Sequence, residues 1–159
     1  MAEHIEFIVG KVYRRRDLHE AYGGQWQGGI STPADHPVIF LFTGDSGKQY
    51  GYEDDFQEDG TFWYTGEGQV GTMEFIRGNG AIKTHQANGK VMHLFKALGR
   101  GDVRYIGEAI LLGYHLAARV DREGDQRQAI VFELAVEADV KGEPSAFEIP
   151  RSELDRLLS

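Results

Sequence analysis

Short apolar runs, each closed off by glycine or a turn pair, recur along this chain of 159 residues and point to a sheet that bends repeatedly. Residues 37–43 read PVIFLFT, an apolar stretch bounded by turn residues, which predicts a buried strand. Thr61 to Thr65 alternates around Phe62 and Tyr64 and follows the turn signal Asp59–Gly60, so it reads as another. Val91 to Ala97 comes after the turn Asn88–Gly89, and Gln128 to Val136 alternates as a strand should. Val103 to Ala117 is rich in Ile, Leu and Tyr, with Gly107 and Gly113 as expected bulges or bends. Helices are fewer. Asp17 caps a short one through Tyr22, stopped by Gly23; Asn79 to Ala87 predicts a second, with Gly89 after it. Ser152 to Leu158 predicts a third, with Ser152 and Asp155 in capping-box-like spacing after Pro150. The expected fold class is α+β: a strongly curved sheet or partial β-barrel with a few flanking helices.

The length suits one domain with a sizeable core. We expect that domain over 1–150, followed by a connector helix over 151–159. The absence of cysteine excludes a disulfide framework and a thiolate metal site. With no apolar signal core and no run of membrane-spanning length, a cytoplasmic protein without a membrane partner is expected. The net charge of −8 is unevenly spread. Residues 51–80 hold seven acids and one base, whereas 81–127 hold eight bases and five acids. A nucleic-acid-facing side can therefore be built from Arg14, Arg15 and Arg16 and from the stretch between Lys83 and Arg104, with the acids elsewhere.

Tyr50 to Gly68 reads YGYEDDFQEDGTFWYTGEG. Tyr52 and Tyr64 are flat rings that can face each other across a turn, with Asp55 between them as an acceptor-only carboxylate. That set suits a slot for one planar, amine-bearing heterocycle such as an unstacked cytosine. Two tyrosines on neighbouring strands are also ordinary cross-strand packing, and the residues alone leave both readings open. Glu53 reads as a solvated turn acid, and Asp54 has the same reading available.

Taken in order, VYRRRDLHEAYGGQWQGGISTP, VIFLFTGDSGKQYGYEDD, TGEGQVGTMEF, RGNGAIKTH and GKVMHLF resemble the SRA (SET- and RING-associated, YDG) domain. The similarity is greatest to the SRA-like domain of bacterial modification-dependent HNH restriction endonucleases. The resemblance implies a PUA-like barrel that flips a modified cytosine, 5-methylcytosine or a 5-substituted relative, out of duplex DNA. It implies that Tyr52 and Tyr64 sandwich the base, that Asp55 accepts from the cytosine amine, and that Thr65 and Gly66 line its polar edge. Glu67 stands where eukaryotic members carry a small residue near the methyl group. A carboxylate there suits a hydroxymethyl group better than a methyl, unless it points away. The resemblance also implies a separate HNH nuclease domain beyond this chain, through which a homodimer would form.

Gly23 to Pro33 (GGQWQGGISTP) sets Gln25, Trp26 and Gln27 among four glycines. Such a loop can fill the hole left by a flipped base, and alignment with the family puts Gln27 in that position. Ser31, Thr32, Lys83 and Arg14 to Arg16 are the expected phosphate contacts, with His19 and His85 as further possibilities at the backbone. The eukaryotic family's longer loop over Gly66 to Gly80 is short here, which weakens strand-asymmetric reading, and Thr72 and Gly80 replace charged residues of bacterial relatives, which weakens the expectation of full family function. We expect no cofactor and no metal: the histidines lack ligand spacing, and no nuclease, P-loop or dinucleotide motif is present. The rival readings are a reader of another mark such as 5-hydroxymethylcytosine, a metal-dependent nuclease or hydrolase using Asp54, Asp55 and Asp59, and a protein-interaction domain that has lost the pocket.

Overall fold

The computed structural model describes residues 7–44, 54–68 and 70–137. Its elements, in chain order, are β1 (Val12–Arg14), α1 (Arg15–Tyr22), β2 (Ile30–Ser31), β3 (Val38–Thr43) and β4 (Asp55–Phe56). They continue with β5 (Phe62–Thr65), α2 (Arg77–Lys83), β6 (Val91–Gly99), β7 (Asp102–Val120) and β8 (Gln126–Glu137). All strands join one sheet in the order β2-β3-β6-β7-β8-β5-β4, with β1 added to the start of β7. Among the described residues only β3 and β6 run parallel, and β4, β5 and α2 lie in the crossover that joins them.

The sequence of β7 explains how so long a strand is used. Its first half pairs with β6 on one side and β1 on the other, and its second half pairs with β8. The ladder slips where Leu94 faces Gly107 and Phe95 faces Tyr105, which leaves Ile106 without an opposite residue. It slips again between Leu111 and Gly113, where Leu112 is the extra residue. The bulges fall at the glycines the sequence marks. At Gly107 a β-carbon would stand 2.5 Å from the Glu137 carbonyl, so glycine is what lets β8 approach.

The sheet is rolled and unclosed. In its strand order, β3 and β5 are four intervals apart, roughly 19 Å in a flat sheet. Yet the Tyr64 hydroxyl of β5 lies 2.7 Å from the Gly29 carbonyl before β2 and 3.2 Å from the Phe42 carbonyl of β3. The concave side is filled by one apolar cluster that draws on both ends of the sheet, including Ile30, Ile39 and Leu41 with Phe62, Tyr64, Ile130, Phe132 and Ile82. A second cluster packs Leu18 and Tyr22 of α1 onto Val38, Phe40, Phe42 and Phe95 on the opposite face. This accounts for PVIFLFT: β3 is buried along its whole length because both faces are covered.

Two helix boundaries differ from expectation. α1 begins at Arg15, without a side-chain cap, and ends as predicted at Gly23, whose N–H reaches the His19 carbonyl at 2.7 Å. α2 spans Arg77–Lys83 rather than 79–87. Its start is fixed by Glu67, whose carboxylate takes the Gly78 N–H at 3.0 Å, a partner from outside the local sequence. It stops early because His85 turns inward, bridging the Lys90 carbonyl at 2.9 Å and the Leu111 N–H at 3.1 Å. The expected helix over Ser152–Leu158 and the boundary at 150 lie outside the described residues. Among the described residues no helix is long and apolar enough to cross a membrane.

Candidate nucleic-acid interface

Where the rolled sheet brings β3 and β5 together, a carboxylate is held between them. Asp54 accepts the Thr65 N–H at 2.7 Å and the Thr43 hydroxyl at 3.1 Å. Burial pushes its pKa up from the ordinary carboxylate value, and the bonds from Thr65 and Thr43 oppose that shift. Beside it, Tyr64 is only 2% exposed. Its hydroxyl pKa is pushed well up by burial, and the negative charges of Asp54 and Glu67 act in the same direction. The junction of β3 and β5 thus gathers an aromatic ring and two acids.

The structure places the sequence-predicted residues unevenly. Tyr52 lies outside the described residues, as does Glu53. Asp55 is exposed on β4, with its carboxylate accepting the neighbouring Phe56 N–H at 2.8 Å. The acid turned toward Thr65 is instead Asp54, which leaves no place for the alternative of a solvated turn acid at that position. At 2% exposure the Tyr64 ring has no open face in this arrangement. Thr65 and Gly66 are buried, and their N–H groups are already donated to Asp54 and to the Ile130 carbonyl. Glu67 is locked to Asn79: its N–H reaches Asn79 Oδ1 at 2.8 Å, while Asn79 Nδ2 donates to the Glu67 and Glu74 carbonyls. Asn79, 1% exposed, is the residue that holds this wall, and the sequence marks it only by the flanking glycines of RGNG. A side chain at Gly66 would strike it.

The loop before β2 is braced from within. Gln25 Oε1 accepts the Thr32 N–H at 2.7 Å, and its Nε2 donates to the Thr32 hydroxyl at 3.0 Å. Gln25 is therefore a strut across the loop base, and Thr32 is its partner. Trp26 is 56% exposed and stacks on His19 with ring centroids 5.3 Å apart and planes 25° from parallel. Gln27 is exposed at the tip. Beneath them Arg15 lies 3.9 Å above the Phe42 ring, donates through Nε to His19 Nε2 at 3.0 Å, and reaches the Gln25 carbonyl at 3.2 Å. Since His19 Nε2 accepts, its Nδ1 donates to the Gly23 carbonyl at 2.9 Å, and burial lowers its pKa.

These contacts revise the expected phosphate ligands. Arg15 is half-buried with its guanidinium already bonded to His19 and the Gln25 carbonyl, and Ser31 is fully buried with its hydroxyl unpaired, so Ser31 is not presented to a phosphate. His85 is likewise buried and bonded through both ring nitrogens. Arg14 and Arg16 are exposed, Arg16 beside Asp17 at 3.7 Å. Lys83 is exposed with its ammonium 4.3 Å above the Phe75 ring. Among the described residues no group of three His, Asp or Glu is placed to hold a metal ion.

Comparison with known proteins adds the following. The family model for the ScoMcrA-like SRA domain matches residues 9–153. No curated protein sequence matches the chain. Among solved structures, the sulfur-binding and SRA domains of ScoMcrA complexed with phosphorothioated DNA are 22% identical with a TM-score of 0.69, covering 98% of this chain and 46% of that one. The SUVH5 SRA complex with hemimethylated CG DNA is 20% identical with a TM-score of 0.62, covering 94% of this chain and 98% of that one. The MspJI restriction endonuclease in complex with a 27-mer oligonucleotide is 19% identical with a TM-score of 0.62, covering 81% of this chain and 42% of that one. At these identities the solved structures speak to the fold. The chain spans 28% of the length of the full ScoMcrA restriction endonuclease structure.

Proposed function

The chain belongs to the ScoMcrA-like SRA domain family, and on that footing we propose that it is a DNA-binding module that recognises a modified cytosine in duplex DNA by base flipping. It serves as the reader of a modification-dependent restriction endonuclease, and cutting belongs to a separate domain. Three of the structures that share its fold are described as nucleic-acid complexes: phosphorothioated DNA with ScoMcrA, hemimethylated CG DNA with SUVH5, and a 27-mer oligonucleotide with MspJI.

The observation that carries the reading is Asp54. A carboxylate kept at the mouth of β3 and β5 despite its burial, beside a tyrosine, is the acceptor that a cytosine amine needs. A thymine or uracil would present O4 there, acceptor against acceptor, and would be refused. We assign the amine-accepting role to Asp54 in preference to the exposed Asp55. Tyr64 supplies one stacking face, worth roughly 1–3 kcal/mol, against an unstacking cost of a few kcal/mol. To expose that face, the bond from Tyr64 to the Gly29 carbonyl has to break, so base entry and movement of the Gln25–Gln27 loop are coupled. Trp26 and Gln27, exposed at its tip, then occupy the space the base has left.

The test is titration of duplexes that differ only at one cytosine, carrying C, 5-methyl-C or 5-hydroxymethyl-C, at fixed salt, with 2-aminopurine next to the target. Preference for a modified duplex together with a rise in fluorescence supports flipping. Equal affinity for all three with no fluorescence change overturns the proposal. A preference for 5-hydroxymethyl-C would give Glu67 the role of accepting the extra hydroxyl.

A further inference from the structure

Resting on the reading above, we infer that the DNA backbone is held by the tip of the β6–β7 hairpin, with Lys96, Arg100 and Arg104 as its phosphate ligands. The fold gathers charges that are far apart in sequence. β1 pairs with β7 so that Val12 faces Arg104 and Arg14 faces Asp102, and the Arg15 N–H bonds the Gly101 carbonyl at the hairpin tip at 2.8 Å. The arginine run and the hairpin therefore form one basic surface. The Arg15 side chain continues from there to the Gln25 carbonyl, so this surface and the Trp26 loop are one arginine side chain apart.

The charges on the hairpin are costly to the fold. Lys96 and Arg104 are direct cross-strand partners, like charges face to face, which destabilises a sheet pair. Arg100 occupies the turn with a φ of 58°, a left-handed conformation that glycine or asparagine adopts more easily. The nearby acids are matched elsewhere, Asp17 with Arg16 and Asp102 opposite Arg14. Among the described residues no carboxylate lies within ion-pair distance of Lys96, Arg100 or Arg104, and all three are exposed. Unneutralised cations held against the preference of their own strands fit a polyanion that arrives from outside, and on the reading above that polyanion is DNA.

The experiment compares the wild-type chain with the triple variant Lys96→Ala, Arg100→Asn, Arg104→Ala, using modified and unmodified duplexes across a salt series. Arg122→Ala, in the turn at the other end of β7, is the control. The triple variant should fold with stability equal to or above wild type. Its affinity should fall about tenfold or more on both duplexes, leaving their ratio unchanged, and the slope of log affinity against log salt should shrink by about 2–3. An unchanged slope in a folded triple variant overturns this surface while leaving the base pocket standing. A selective loss on modified DNA assigns these residues to base reading and also overturns it. Failure of the wild type to bind any duplex overturns the DNA reading itself.

Discussion

On the proposed reading, Asp54 is where a single side chain links stability to recognition. Its folded pKa is raised by burial, so its charge opposes folding at pH above that folded value, and the penalty vanishes as the pH falls below the unfolded 3.8. Asp54→Asn keeps an oxygen for the Thr65 N–H and carries no charge. We expect it to be at least as stable as wild type at neutral pH and to lose discrimination between modified and plain cytosine. Asp54→Ala leaves the Thr65 N–H unpaired and should cost about 1–3 kcal/mol. Denaturant melts and duplex titrations of both variants, with Asp55→Asn beside them, decide whether Asp54 or Asp55 does the reading. His93 acts in the opposite direction. Burial lowers its pKa from 6.5 to about 4, so it stays neutral in the folded chain while the unfolded chain takes up a proton. Stability is then complete above pH 6.5 and is lost as the pH falls towards 4, by about 3 kcal/mol in all. His93→Gln should flatten that part of a stability–pH curve; an unaltered curve would place the acid sensitivity elsewhere. The residue types of the site were legible in YEDDFQEDGTFWYTGEG, but which of two adjacent acids turns inward was not. In an extended segment neighbouring side chains point to opposite faces, and the pairing that chooses the face is made with β5, beyond the reach of local pattern.

At the scale of elements, glycine placement governs the roll of the sheet. β7 changes partners at its bends, and Gly107 sits where β8 crosses closest. Gly107→Ala would drive a β-carbon into the Glu137 carbonyl at a φ of 156°. We expect a loss of about 1–3 kcal/mol, read as a lower denaturant midpoint with an unchanged m-value. The same substitution at Gly113, where an added β-carbon meets nothing within 4 Å, should cost much less. Equal effects at the two sites would mean that close approach is not what Gly107 provides. The strands, their bulges and the turn at Gly23 were readable because each is written locally, as apolar runs, alternation or glycine. The start of α2 was not, because its cap is Glu67, and neither was the inward turn of His85, because its partner Leu111 lies on a distant strand. Nor could sequence show that Arg15, His19 and Trp26 form one cluster, since that depends on α1 packing against β3 and on Phe42 lying under the guanidinium.

Across the whole molecule, the acidic balance and the DNA reading are reconciled by geography. The chain carries −8, but the stretch that supplies the β6–β7 hairpin is the basic one, and β1 brings the arginine run alongside it. On the proposed reading the module locates and holds a modified site, yet hydrolysis of a phosphodiester needs a nucleophile and charge stabilisation placed in line with the scissile bond. The residues that would supply these do not converge in the described part: Asp54 is tied to Thr65 and Thr43, Asp55 to its own neighbour's N–H, and Asp59 to Thr61. The ScoMcrA structures that share the fold are longer, this chain spanning 46% of one and 28% of the other, which leaves room in those proteins for other activities. The expected outcome is that the purified chain retards a modified plasmid and leaves it intact with Mg2+, Mn2+ or Ni2+ present. Fusion to an HNH nuclease domain should then give cutting that depends on the modification. Metal-dependent cleavage by the chain alone, abolished by Asp54→Ala or Asp59→Ala in protein that remains folded, would make it an enzyme in its own right and assign these acids to catalysis.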